Sequence, residues 1–341
     1  MTDSKGKHAP LIQLERVSRS FETADGTIPV LQDINLEIYP REVLCLVGES
    51  GCGKTTTGKI IAGLLDASSG SVHVNGAPLA QYPRQERARL RRSMQIIHQD
   101  PFASLNPSHT IGQILSFPLR RHQMVKGRAQ QRRRVWELLK LVDLTPPGDI
   151  VDKYPHQLSG GQRQRVSIAR ALTVDPQLIV ADEAVSMVDV SIRVGLLKML
   201  HGLSDMLDLA VVFITHDLAL AKYFAWNGRL AVMYLGRIVE IGRTPDIIRN
   251  PAHPYTKALL SAVPEADPTR TRQKEPMRLR SDAIPSLLDI PSGCAFHPRC
   301  PFHQPGVCDG DVPHLTSPAG YQQQVACTPV TTTGELTRYE S

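Results

Sequence analysis

Aromatic residues are scarce: Phe, Trp and Tyr make up 5% of the 341 residues. A binder of single-stranded nucleic acid needs stacking platforms, so that class of function is disfavoured. Long apolar runs are also missing. The stretches at 43–47 and 209–214 fall far short of the roughly 18 residues that a membrane-spanning helix requires. Residues 1–8 carry no apolar signal core. The expected location is therefore the cytosol, or a membrane reached through partners. Acidic charge is in mild deficit, with 39 Lys and Arg against 33 Asp and Glu. The excess is uneven: 31 basic against 24 acidic residues up to position 250, and 8 against 9 beyond it. Phosphates or anionic lipid headgroups are the partners that such a bias suits. Cysteine is nearly absent from the first 250 residues, where only Cys45 and Cys52 occur; the other four lie at 294, 300, 308 and 327.

What is there is organised around Gly48-Glu49-Ser50-Gly51-Cys52-Gly53-Lys54-Thr55, which fits G-x-x-x-x-G-K-[ST]. Residues 43–47 before it read as a buried parallel strand. Thr57, Ile60, Ile61 and Leu64 after it recur at helical spacing. A loop joining strand to helix points backbone N–H groups and the positive end of a helix dipole at phosphate oxygens. Lys54 can reach the terminal phosphates and the Thr55 hydroxyl can hold Mg²⁺. The loop establishes nucleoside triphosphate binding; kinases, GTPases and ATPases all share it.

Before the loop, residues 11–17 and 31–38 read as strands, with a hairpin signal at Asp25-Gly26. Phe21, just before that turn, is placed to stack on an adenine or simply to pack. After the loop, residues 71–74 and 94–98 read as strands, and residues 108–157 as helical, with Val135, Leu138, Leu139 and Val142 on one face. The arginines at 120, 121, 132, 133 and 134 read as the solvated face of those helices. Ser159, followed by Gly160 and Gly161, is an N-cap opening a helix to about Leu172, a second anion site that a dimer could press on a partner's phosphate. Residues 178–183 read as a strand ending in Asp182 and Glu183, one to hold Mg²⁺ and one to orient an attacking water. A further buried strand, residues 209–214, ends at His216, on the ligand side of an open α/β sheet.

Taken in this order, the motifs resemble the nucleotide-binding subunit of an ATP-binding cassette (ABC) transporter over residues 10–250. The resemblance implies an α/β fold: a P-loop (RecA-like) ATPase core with an antiparallel β subdomain, an inserted helical subdomain at about 100–158 and an irregular C-terminal extension. It implies a nucleotide-binding domain over 1–250 and the extension over 251–341. Residues 48–56, Thr56 included, would bind ATP phosphates, with Phe21 at the adenine. Gln99 would begin the loop that reports to the membrane subunits and would join Thr55 and Asp182 at Mg²⁺. Ser159, Gly160, Gly161 and Gln162 resemble the signature that completes a partner's ATP site. Glu183 would be the general base, His216 the switch at the γ-phosphate, Lys54 a charge stabiliser, and Asp189 a dimer contact. The family commonly has Pro after the Glu; here Ala184 frees φ and restores an N–H.

Residues 267–280 read as a polar, basic linker and 285–301 as Pro-rich, against long helices. The spacing C-x5-C-x7-C-x18-C of Cys294, Cys300, Cys308 and Cys327 matches neither a zinc ribbon nor a ferredoxin run, leaving cluster, zinc and free thiols open. A cytosolic setting argues against disulfides. The string Asn250-Pro251-Ala252-His253-Pro254-Tyr255-Thr256, with Gly293, Cys294, Phe296, Pro298, Arg299, Cys300 and Pro301, resembles the extension of the oligopeptide/dipeptide importer subfamily. That resemblance implies a [4Fe–4S] cluster on the four cysteines and import of oligopeptides, dipeptides or a related solute; oligosaccharide and nickel importers share the subfamily. It also implies a second, different ATPase subunit, two permease subunits, a solute-binding protein further out, and a peripheral place on the cytoplasmic face of the membrane. The other class of function, a cassette ATPase acting on nucleic acid or the ribosome, is disfavoured by the single cassette and the lack of a heptad run or internal repeat.

Overall fold

The computed structural model describes residues 9–24, 26–263, 276–333 and 336. Among these residues eleven strands follow in chain order: β1 (Ile12–Thr23), β2 (Gly26–Ile38), β3 (Val43–Val47), β4 (Ser69–Val74), β5 (Ala77–Pro78), β6 (Met94–Ile97), β7 (Leu178–Asp182), β8 (Ala210–Thr215), β9 (Arg229–Tyr234), β10 (Arg237–Arg243) and β11 (Gln324–Val325). They form two sheets. One is antiparallel, in the order β2-β1-β4-β5; the other runs β11-β10-β9-β3-β8-β7-β6. In the second, β6, β7, β8, β3 and β9 are mutually parallel, while β10 and β11 join antiparallel.

The parallel strands are mostly apolar because both their faces are covered; Gln95, Asp182, Thr215 and Arg229 are the polar exceptions. Side chains alternate between two cores, as a period of two requires. Cys45, Val47, Ile179, Ala181, Val211 and Phe213 face the core shared with the helical insert. Leu44, Leu46, Leu178, Val180, Val212 and Ile214 face the core shared with the antiparallel sheet. The register is in step across the sheet, with Cys45 and Ala181 both opposite Phe213.

The insert between β6 and β7 is helical, with helices Pro101–Ser104, Ile111–Arg121, Gly127–Leu141 and Gly148–Val151. Val135, Leu138, Leu139 and Val142 are buried as their spacing predicts, and Arg120, Arg121, Arg132 and Arg133 are exposed. Thr110 and Gln113 form a capping box that fixes where the second of these helices begins. Among the described residues, no helix is long and apolar enough to cross a membrane.

Two local details depart from expectation, whereas the hairpin between β1 and β2 is present as expected. The helix after the phosphate loop is Lys54–Ile61; it stops at Gly63, whose φ of 66° is the left-handed terminator, and Leu64 is left exposed. The strand before the carboxylates ends at Asp182, because Glu183 has φ 46° and leaves the extended conformation. At the hairpin tip, Gly26 pairs with Thr23, while Asp25 lies outside the described residues. Residues 264–275 of the linker lie outside them as well. The extension beyond position 250 contains the helix Pro254–Ala262, largely irregular chain through the cysteines, and β11. Through β11 it adds an edge to the large sheet, pairing Val325 with Glu240 and Gln324 with Ile241.

Candidate active site

In parallel strands the carboxyl ends share one side, so the loops after β3, β6, β7 and β8 meet there. They enclose a cleft of about 600 Å³ lined by Gly48, Glu49, Ser50, Gly51, Gly53, Lys54, Thr55, Thr56, Gln99, Glu183 and His216. That size lies within the usual range for small-molecule sites. Val30 and Leu259 complete the lining; neither stands out in the sequence, since both are ordinary apolar residues brought in by tertiary packing.

Two glycines of the loop are required by contact. A Cβ on Gly48 would stand 2.2 Å from the Met233 carbonyl oxygen. Gly53 has φ 102°, and a Cβ there would meet Leu31 Cδ2 at 2.6 Å and the Val30 carbonyl oxygen at 2.9 Å. Gly53 also occupies the N-cap of the helix that starts at Lys54. The Lys54 ammonium is buried and donates to the carbonyl oxygens of Gly48 at 2.7 Å and Glu49 at 2.8 Å. It is thus folded into the loop that its own glycines shape. Cys52 is buried, and burial pushes its thiol above the usual range.

Opposite the loop stand the carboxylates. The Thr55 hydroxyl donates to Asp182 Oδ1 at 3.1 Å. Asp182 is buried, and that burial pushes its carboxyl above the usual carboxylate range, with the Thr55 hydrogen bond opposing. Glu183 is held at both oxygens: Gln99 Nε2 donates to Oε2 at 3.2 Å, and His216 Nδ1 stands 3.0 Å from Oε1. Its backbone N–H donates to the Ile214 carbonyl at 3.0 Å. A non-glycine residue at φ 46° is strained, and here the strain sits on the residue that faces the cleft.

The other anticipated residues lie apart from this cleft. Ser159 and Gln162 form a capping box: the Ser159 hydroxyl accepts from the Gln162 N–H, and Gln162 Oε1 accepts from the Ser159 N–H. Gly160 has open space where a Cβ would be, whereas a Cβ on Gly161 would meet Ile192 at 2.9 Å. Phe21 does not line the cleft; the Arg19 guanidinium lies 4.6 Å from its ring centre. Asp189 is exposed at the start of the helix Val190–Met206.

The four cysteines of the extension form no disulfide among the described residues and line one narrow cavity together with His253, Phe296 and His297. Burial pushes the Cys294 thiol up to about 11 and the Cys300 thiol up to about 12. Among the described residues, no group of three or more His, Cys, Asp or Glu side chains is set to hold a metal ion.

Contacts between this lobe and the phosphate loop were not foreseen. Tyr255 Oη accepts from the Glu49 N–H at 2.9 Å, and Arg299 forks onto the Glu49 carboxylate. A sequence signal existed in part: an arginine between apolar residues and a cysteine, in a segment with few charges.

Comparison with known proteins agrees in both halves. A family model described as ABC transporter matches residues 31–186. A second, described as the C-terminal region of oligopeptide/dipeptide transporters, matches residues 239–308. The chain is 42% identical over 307 residues to the "Probable peptide ABC transporter ATP-binding protein y4tS" of Sinorhizobium fredii, covering 90% of this chain and 84% of that one. It is 41% identical over 304 residues to the oligopeptide transport ATP-binding protein OppF of Escherichia coli, covering 86% and 90%. A solved dimeric ATP-binding cassette in a post-hydrolysis state, bound to ADP and Pi, superposes with a TM-score of 0.61 at 27% identity, covering 68% of this chain and 98% of that one.

Proposed function

The chain belongs to the ABC transporter family, in its oligopeptide/dipeptide branch, and from that premise we propose how its site works. It is an ATP-hydrolysing subunit that energises a peptide importer. The observation that carries the mechanism is Glu183, held at the mouth of the phosphate-loop cleft by Gln99 and His216.

In this reading residues 48–56 cradle the phosphates of ATP, which displace the Gly48 and Glu49 carbonyls from Lys54. Glu183 orients the attacking water and takes its proton. Its two hydrogen bonds fix the carboxylate's direction, so the water is aligned before the reaction starts. Lys54 and His216 stabilise the charge that develops on the phosphoryl oxygens. Asp182 suits a divalent cation, since it is a buried carboxylate whose near partner is the neutral Thr55 hydroxyl. Thr55, Asp182 and Gln99 would hold Mg²⁺, which when bound neutralises phosphate charge.

The signature residues Ser159, Gly160, Gly161 and Gln162 take no part in their own chain's cleft, which supports a role in completing the site of a second cassette. Asp189 would lie at that contact, and Phe21 at the adenine once nucleotide is bound. We divide the chain into a nucleotide-binding domain over 1–250, with its helical insert at about 100–158, and an extension over 251–341. Two permease subunits would take up the motion through the loop that begins at Gln99, placing the protein on the cytoplasmic face of the membrane.

For the extension we propose an iron–sulfur cluster on Cys294, Cys300, Cys308 and Cys327. Four cysteines lining one cavity are a donor set of the right number and kind, and they would have to draw together to hold the cluster, since no three of them are set as ligands among the described residues. Protein purified without oxygen should be brown and contain iron and acid-labile sulfide; a colourless, zinc-loaded sample would show the assignment to be wrong. The import reading is tested by affinity purification of the full chain from solubilised native membranes. Recovery of two multi-span permeases and a second cassette subunit is the expected result. Ribosomal or DNA-associated proteins with no permease would contradict it.

A further inference from the structure

We propose that Arg299 is a positioning residue for the ATP site, through which the C-terminal extension holds the phosphate loop in its binding shape. This rests on the reading of residues 48–55 as the loop that binds ATP phosphates. The geometry centres on Glu49, the second residue of that loop. All its polar groups are engaged. Its carboxylate receives Arg299 Nη1 at 3.1 Å on Oε1 and at 2.9 Å on Oε2, and Nη2 at 3.1 Å on Oε1. Its N–H donates to Tyr255 Oη at 2.9 Å, and its carbonyl accepts from the Lys54 ammonium at 2.8 Å. Two of these three holds come from the extension, more than 200 residues further along the chain.

Arg299 is itself firmly placed. Its side chain is 7% exposed. Nη1 also donates to Tyr234 Oη at 3.3 Å, and the guanidinium carbon lies 5.8 Å from the Tyr234 ring centre and 5.6 Å from that of Phe296. Tyr234, Tyr255 and Phe296 in turn pack on one another, with ring centres 4.6, 5.3 and 5.4 Å apart. Tyr234 ends β9, the neighbour of the strand that leads into the loop. A planar fork on a carboxylate fixes direction as well as distance, which an ammonium cannot do. Through this wedge the loop is held from outside, whereas its own glycines leave it free to adopt other shapes.

Such a hold acts on ground-state and transition-state phosphates alike, so its loss raises KM for ATP more than it lowers kcat. The size is on the order of tenfold in KM, inside the roughly 10²-fold that a remote misplacement can cost. The experiment measures steady-state ATP hydrolysis and direct ATP binding for the wild-type full chain, Arg299→Met, Arg299→Lys, Glu49→Gln and the double variant Arg299→Met/Glu49→Gln. Expected are a raised KM and weakened binding in Arg299→Met, a similar change in Glu49→Gln, partial rescue in Arg299→Lys, and a double variant no worse than either single one. An unchanged KM in Arg299→Met or Glu49→Gln overturns the proposal, as does full additivity in the double variant. Should Arg299→Met fail to fold, Glu49→Gln and Arg299→Lys carry the comparison. A wild-type chain that binds no ATP would instead overturn the ATP-site reading on which the proposal rests.

Discussion

The phosphate-loop cleft sits at the ends of sheet strands, all but β6 of them paired on both sides, whereas the cysteine lobe is, among the described residues, mostly irregular chain anchored by one two-residue strand and a few large side chains. In the first region backbone ladders place the chemistry: Asp182, Glu183 and His216 follow strands whose registers are locked by β3, β7 and β8. In the second, Tyr255, Phe296 and Arg299 do the placing, together with the buried Glu240 carboxylate, which receives the N–H groups of Ala252 and His253 and the Gln323 amide. Position set by a ladder is shared among many bonds. Position set by a wedge depends on each member, so single substitutions should act very differently in the two places.

The largest expected effect tests that difference directly. Removing the Phe296 ring, fully buried among Tyr234, Tyr255 and His253, should cost about 3–5 kcal/mol. Hydrogen exchange should show the loss confined to the extension, with the parallel strands still protected. Equal loss of protection in β3, β7 and β8 would erase the distinction. Next in size, Lys54→Ala should remove about 2.7–4 kcal/mol of transition-state stabilisation, or 10²–10³ in kcat, while the melting temperature hardly changes. A melting temperature that fell with the activity would mean that the cleft, too, is held by side chains.

The smallest expected effect concerns pH. Burial pushes the Glu240 carboxyl above the usual range, more than its hydrogen bonds from Ala252, His253 and Gln323 bring it down. The folded state therefore holds this proton to higher pH than the unfolded chain does. Its contribution to stability is present below the ordinary carboxylate range and is lost as pH rises through the raised value. Glu240→Gln keeps an acceptor and cannot titrate, so denaturation midpoints taken across the acid-to-neutral range should fall less steeply than in the wild type. An identical slope would remove Glu240 from the set of groups that control the extension.

Much of the cleft was legible in the sequence because its motifs are local. Gly48 to Thr55 need one strand and one helix in tandem, and Asp182-Glu183 need only to follow a buried strand. The helical insert was legible from the spacing of Val135, Leu138, Leu139 and Val142. The fork of Arg299 on Glu49 was not, since 250 residues separate the two and no periodicity links them. Nor was β11, which is too short to show a strand pattern and is paired only because the edge of β10 is there to receive it. The left-handed turn at Glu183 was hidden for another reason: φ above zero at a non-glycine residue is imposed by tertiary contacts and leaves no mark in composition.

The proposed role of Glu183, steered by Gln99 and His216, is to activate the water that cleaves ATP. Hydrolysis and ATP binding measured side by side for the wild type and Glu183→Gln test it most directly. Turnover should be lower by about 10²–10⁴-fold, the share of a general base, with ATP still bound. Turnover near the wild-type rate would contradict it.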